Sequence, residues 1–245
     1  MFETFPGAPI TEAVFDIRAS LHKDIYLDRL REFHKDIADR FPVIEEKRYI
    51  KAGFQLGKDE PEFHMPEKGI EGFFFKSDRE NKIIQFRLNG FTFNKLKPYE
   101  NWEAFFPEAQ EFWKKYNEVA KPLKVERIAL RYINRILAPY PIKDFSEYIL
   151  TSPKIAPNLP QTLSHFFLRI ITSSDDGYLT AIITETSEKP TKDQKLPIIL
   201  DIDAYKQKEY APDSQELWND FARIREFKNQ IFFNSITDKA KELFR

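Results

Sequence analysis

Val125-Glu126-Arg127-Ile128-Ala129-Leu130-Arg131-Tyr132-Ile133-Asn134-Arg135 alternates between two chemistries. On an extended backbone Ile128, Leu130 and Tyr132 point to one side, and Arg127, Arg131 and Arg135 share the other. The spacing predicts a strong strand over about 125–136 with one face in a core and one face polar. Residues 13–21 repeat the pattern: Ala13, Phe15, Ile17, Ala19 and Leu21 point one way, Val14, Asp16, Arg18 and Ser20 the other.

Between these two strands the period changes. Tyr26, Leu30, Phe33, Ile37 and Phe41 form the apolar stripe of one amphipathic helix, which Pro42 ends. Strands follow at about 47–56, 69–76 and 82–95, and Gly90 marks a bulge or a division into two short strands in the last. A second helix presents Phe105, Ala109, Phe112, Tyr116 and Val119 on one side, with Pro107 expected in its first turn. After the 125–136 strand, the pattern predicts a short helix over 143–150 and strands at about 162–172, 178–186 and 196–205. A long helix then begins near Ser214, where Asp213 and Glu216 have capping-box spacing. It turns Leu217, Phe221, Ile224, Ile231 and Phe232 inward, breaks near Asn234 and is followed by a last turn over Lys239–Phe244. The low-hydropathy stretches 57–68 and 186–196 read as exposed, mobile loops.

Both halves therefore read strand–helix–three or four strands–helix, which predicts a duplication with repeats 1–122 and 123–245 in one compact unit. Consecutive strands joined by short turns favour antiparallel pairing. The expected class is α+β, with curved antiparallel sheets and helices on one face. The order of elements is similar to helix-grip and TATA-binding-protein-like arrangements, a likeness of fold that brings no function with it.

Composition narrows the function classes. The 245 residues include 24 Phe, 42% hydrophobic residues and no Cys, so a disordered chain, a disulfide-stapled fold and cysteine chemistry are excluded. With 38 Lys plus Arg against 39 Asp plus Glu, bulk attraction to nucleic acid or an anionic membrane has no basis, although a local basic stripe is compatible with the balance. No apolar run approaches the ~20 residues of a membrane span, and Met1-Phe2-Glu3-Thr4-Phe5-Pro6-Gly7 has no signal-peptide pattern. The expectation is a cytoplasmic protein with no membrane association.

The polar sides of the strands supply the candidate site. Arg127, Arg131 and Arg135 stand about 13 Å apart along their strand, and Asp16, Arg18 and Arg87 have the same phase on theirs. If these strands are neighbours, one sheet face carries a row of guanidinium forks suited to phosphates or carboxylates. The competing reading is a solvated face on which the arginines pair with Glu12, Asp16 and Glu126. Asp201-x-Asp203 is a weak metal candidate, since two carboxylates at i and i+2 share a strand face; otherwise the pair is solvent-facing or partners Arg169. His22, His34, His64 and His165 are scattered without metal-ligand spacing, and no phosphate-cradling glycine loop or nucleophile elbow occurs. No cofactor is implied. Phe91 and Phe93, near Lys95 and Lys97, are the best stacking candidates among the aromatics, yet a core role suits them better.

Three stretches, Pro9-Ile10-Thr11-Glu12-Ala13-Val14-Phe15-Asp16-Ile17, Arg131-Tyr132-Ile133-Asn134 and Phe232-Phe233-Asn234-Ser235-Ile236-Thr237, resemble a sporadically distributed family of uncharacterised bacterial proteins of similar length. The resemblance spans the chain and implies no catalytic residues. The family's patchy occurrence implies genes that travel with mobile elements and defence islands. The expected function is a non-enzymatic binding or adaptor protein with a protein partner, a subunit of a bacterial defence or toxin–antitoxin system. The alternatives are nucleic-acid or nucleotide binding by the arginine face, and metal-dependent phosphoryl transfer or nuclease activity at Asp201 and Asp203.

Overall fold

The computed structural model describes residues 2–23, 27–51, 54–56, 61–63, 67–161, 163 and 165–245. Its strands are β1 (Ile10–Ser20), β2 (Val43–Lys51), β3 (Phe54–Leu56), β4 (Pro61–Phe63), β5 (Glu67–Ser77), β6 (Lys82–Arg87), β7 (Gly90–Leu96), β8 (Lys124–Pro139), β9 (Phe167–Ser173), β10 (Thr180–Ser187) and β11 (Lys195–Tyr210). The helices are α1 (Leu27–Glu32), α2 (His34–Ile37), α3 (Trp102–Ala120), α4 (Gln215–Ser235) and α5 (Asp238–Glu242). Nine strands pair antiparallel in the order β2-β5-β6-β7-β1-β8-β11-β10-β9, while β3 and β4 form a separate pair. The protein is α+β.

The two alternating runs lie side by side at the centre. β1 pairs with β8 in a register that sets Phe15 opposite Leu130, Asp16 opposite Ala129 and Ile17 opposite Ile128. Because both runs have period two, this one pairing puts Ala13, Phe15, Ile17, Ile128, Leu130 and Tyr132 on one side and Asp16, Arg18, Arg127 and Arg131 on the other, with Val14 and Ala129 among the charges. Phe15, Ile17, Ile128 and Leu130 are completely buried, and each such side chain contributes about 1.5–3 kcal/mol through burial. In each half the first strand lies beside the last strand of its own half: β1 beside β7, β8 beside β11.

The helices cover the apolar face. Phe33, between α1 and α2, stacks on Phe86 with ring centroids 4.5 Å apart, Phe112 of α3 meets Phe93 at 5.6 Å, and Phe221 of α4 stacks on Phe15 at 4.2 Å. Phe91 and Phe93 are fully buried, which makes them core. A second apolar cluster, with Phe5, Ile136, Ile198, Leu200, Phe232 and Phe244, ties both chain ends to the far end of the sheet. No helix of the described residues is long and apolar enough to cross a membrane.

Several local expectations change. The first helix divides at Phe33 into α1 and α2, although Leu30, Phe33, Ile37 and Phe41 are buried as the stripe requires; Tyr26 lies outside the described residues. Pro107 sits in the second turn of α3, because Asn101 caps the helix earlier by accepting from the Ala104 amide. The cap of α4 is Ser214, whose hydroxyl accepts from the Glu216 amide, so Asp213 is not the capping residue. Gly90 ends a two-residue turn between β6 and β7, and residues 82–95 are thus two strands. Over 143–150 only a single 3₁₀ turn, Phe145–Glu147, forms. Pro61–Phe63 pairs with Phe54–Leu56 within the stretch read as a loop, most of whose remaining residues, His64 among them, lie outside the described residues; Thr186 and Ser187 still belong to β10.

Candidate functional site

The face of the sheet away from the helices gathers every arginine singled out in the sequence. Rows of residues run across the strands: Arg87, Arg18 and Arg127 in one, Thr92, Asp16, Ala129 and Tyr205 in the next, Val14, Arg131 and Asp203 in a third. Non-local pairing does this, since β1 lies between β7 and β8, and β11 flanks β8.

Asp16 is the hub. Its carboxylate, 15% exposed, accepts from Arg87 Nη2 at 2.7 Å, from Thr92 Oγ1 at 2.8 Å and from Arg127 Nη1 at 3.3 Å. Arg127 reaches the other way as well: its Nη2 donates to both oxygens of Asp203, at 3.0 and 2.9 Å, and its guanidinium lies 4.3 Å from the centre of the Tyr205 ring. Arg131 grips Asp201 with two parallel hydrogen bonds, and Arg135 directs Nε and Nη2 to Glu188. Arg18 is the outlier, mostly exposed, with Nε 3.9 Å from Asp16.

Charge follows from this packing. Burial pushes the Asp203 carboxyl above its ordinary range, and the Arg127 guanidinium beside it works in the opposite direction. The Asp201 fork raises Arg131. At the β5 side, burial first and then Arg87 hold the Lys47 ammonium below its ordinary value.

The structure thus brings together Asp16, Arg18, Arg87, Arg127, Arg131 and Arg135, and corrects their partners. Asp16 does pair with the row, but Glu12 accepts from Asn94 and Glu126 from Ser20. Asp201 and Asp203 are held by Arg131 and Arg127; Arg169 is not their partner. His165 precedes β9 instead of lying within a strand. Sequence reasoning missed Glu188 and Tyr205 as members of the face. The alternation of Asp201, Asp203 and Tyr205 in one phase signalled Tyr205, and only the β8–β11 register shows that this phase meets the arginines; Glu188, just past the end of β10, had no such signal.

The same face becomes apolar toward β9. Phe167 and Ile171 are 67% and 65% exposed, and Ile182, Ile199 and Ile133 lie half-buried in adjacent rows. β9 is also an outer strand of the sheet. Fold and face together define an α+β protein whose single large antiparallel sheet has helices on one side and a charge-paired lattice, bordered by an apolar patch, on the other. No protein-family model matches the chain, and no curated protein matches it.

Proposed function

We propose that this chain is a non-enzymatic, cytoplasmic binding or adaptor protein whose open sheet face docks a folded protein partner. The observation that carries this reading is the charge balance of the face: each of Arg87, Arg127, Arg131 and Arg135 already holds a carboxylate. A polyphosphate would have to displace Asp16, Asp201, Asp203 or Glu188 from its fork, whereas a protein surface of mixed charge can add to the lattice without breaking it. Exposed Phe167 and Ile171 beside the lattice give the apolar component usual at protein interfaces, and patches of this kind mark interaction sites. The matching position of first and last strands in the two halves supports an internal duplication on a helix-grip or TATA-binding-protein-like plan. A subunit of a defence or toxin–antitoxin assembly is the setting that the sequence resemblance implies.

The test is affinity purification of the full chain from its native host beside the variants Phe167→Asp, Ile171→Asp and Arg131→Ala. A partner retained by wild type and lost by these variants supports the reading. A chain recovered alone at every expression level overturns it. So does capture of nucleic acid with a steep inverse dependence on salt, which is the signature of phosphate contacts.

A further inference from the structure

A cleft on the helical side of the molecule is a separate site. It has a volume of about 540 Å³, within the range of small-molecule pockets, and is walled by the N-terminal segment, the start of α3, β8 and α4. The three stretches that carry the sequence resemblance meet there: Pro9 and Ile10 from the first, Tyr132 and Asn134 from the second, Phe232 and Phe233 from the third.

One charge in this cleft lacks a counterpart. Lys228 of α4 is only 8% exposed, its ammonium lies 3.7 Å from the centre of the Tyr132 ring, and it has no ion-pair partner among the described residues. The neighbouring carboxylates are committed elsewhere: Glu3 to Arg245 at 3.0 Å, Glu100 to Lys95 at 3.2 Å and Glu103 to Arg225 at 3.3 Å, while Glu226 is exposed. A buried ammonium facing only a ring is costly, and an incoming anion would offset that cost. Burial first, and then Arg225, push Lys228 down to about 7. The Tyr99 and Tyr132 hydroxyls share one hydrogen bond of 2.9 Å, which leaves one hydroxyl proton of the pair to donate. Burial keeps both protons in place, pushing Tyr99 up to about 12 and Tyr132 well above its ordinary value.

We infer that this cleft binds a small organic monocarboxylate with an aromatic or acyl body. The carboxylate takes the place opposite Lys228 and the tyrosine hydroxyls, and the body lies against Phe5, Trp102 and Phe232. A single unpartnered cation matches a single negative charge; a phosphate dianion would carry excess charge into a rim lined by Glu3, Glu100, Glu103 and Glu226. Aromatic walls suit an apolar body and give the site a reporter, because Trp102 lines it.

The probes are 1-naphthoate and octanoate, with 1-naphthamide and octanamide as uncharged counterparts, titrated into the full chain by calorimetry and tryptophan fluorescence. At least one carboxylate should bind with a Kd below about 1 mM, and its amide at least about tenfold more weakly. Lys228→Met should reduce the carboxylate to the level of the amide without lowering the melting temperature at pH 7, and Arg131→Ala should bind as wild type does. Binding above pH 7 should take up protons, seen as an enthalpy that changes with the buffer. Absence of carboxylate binding below about 1 mM, equal binding of acid and amide, or undiminished binding by Lys228→Met overturns the inference. If Lys228→Met does not fold, the acid–amide comparison on wild type decides alone. Because this site is apart from the sheet face, its failure and that of the docking surface are read separately.

Discussion

Arg131 holds Asp201 in a fork: Nε donates to Oδ1 at 2.8 Å and Nη2 to Oδ2 at 2.6 Å, across the junction of β8 and β11. The guanidinium is 47% exposed and the carboxylate 15%, so the pair sits between a surface ion pair and a buried one. Its parallel geometry favours a real contribution, and its exposure limits that contribution. Arg131→Ala is expected to cost about 1 kcal/mol. A double-mutant cycle with Asp201→Ala should return a coupling of about 0.5–1 kcal/mol. Coupling near zero in urea titrations would show that the fork contributes nothing to folding.

Arg127 is expected to behave differently. It is 14% exposed and touches two carboxylates, Asp16 and Asp203, while its flat side lies on Tyr205. Arg127→Ala leaves the half-buried Asp203 without its ion-pair partner and Asp16 with Arg87 as its one close cation, and a loss of about 3–5 kcal/mol follows. Removing the guanidinium also removes the influence that offsets burial at Asp203, so the variant should be comparatively more stable at mildly acidic pH. Melting temperatures for Arg127→Ala and Arg131→Ala, taken at the same pH, decide the ranking; equal losses would refute it.

The sequence carried the sides of the strands better than their neighbours. Period two in Ala13–Ala19 and Ile128–Tyr132 is a local property, and those residues are buried as the alternation requires. Which strand lies beside β8 is not local. Asp201 and Asp203 are about 70 residues from the arginines they hold, so their spacing read equally well as a metal pair or a solvated pair. The start of α4 near Ser214 was legible, but Asp213 and Ser214 both have capping chemistry and the sequence does not choose between them; Pro107 falls a turn later than expected because Asn101 caps α3. Lys228 was hidden altogether: in sequence it is one lysine on an amphipathic helix, and only the packing of α4 over Tyr132 buries it.

Gly90 provides a test of the tight turn between β6 and β7. Its φ of +141° lies in a region that side chains rarely adopt, and a Cβ there would stand 2.1 Å from the Ile17 carbonyl oxygen. That oxygen belongs to β1, at the centre of the sheet, and cannot move away cheaply. Gly90→Ala should therefore cost at least about 3 kcal/mol. Gly177, with φ of +65° and nothing near its would-be Cβ, isolates backbone strain from collision, and Gly177→Ala should cost about 1 kcal/mol. Similar losses in the two variants would mean that β1 does give way.

Glu185 sets a pH dependence that one substitution should remove. It lies on β10 in the row of Leu168 and Leu200, is 1% exposed, and neither carboxylate oxygen has a hydrogen-bond partner among the described residues. Burial alone pushes its carboxyl up from 4.5 to about 7. Between these two values the native chain retains a proton that the unfolded chain releases. Stability therefore falls as pH rises through this window and is level with respect to Glu185 above it. At ~1.4 kcal/mol per pKa unit, the total loss is about 3–4 kcal/mol. Glu185→Gln keeps the shape and cannot ionise, so its advantage over wild type should be absent near pH 4.5, grow through pH 5–7 and stay constant at pH 8. Urea denaturation of both proteins across that range checks the difference, which cancels every other titrating group they share. Parallel curves would mean that Glu185 ionises in the folded chain as it does in the unfolded one, and that water or a rearranged donor reaches it.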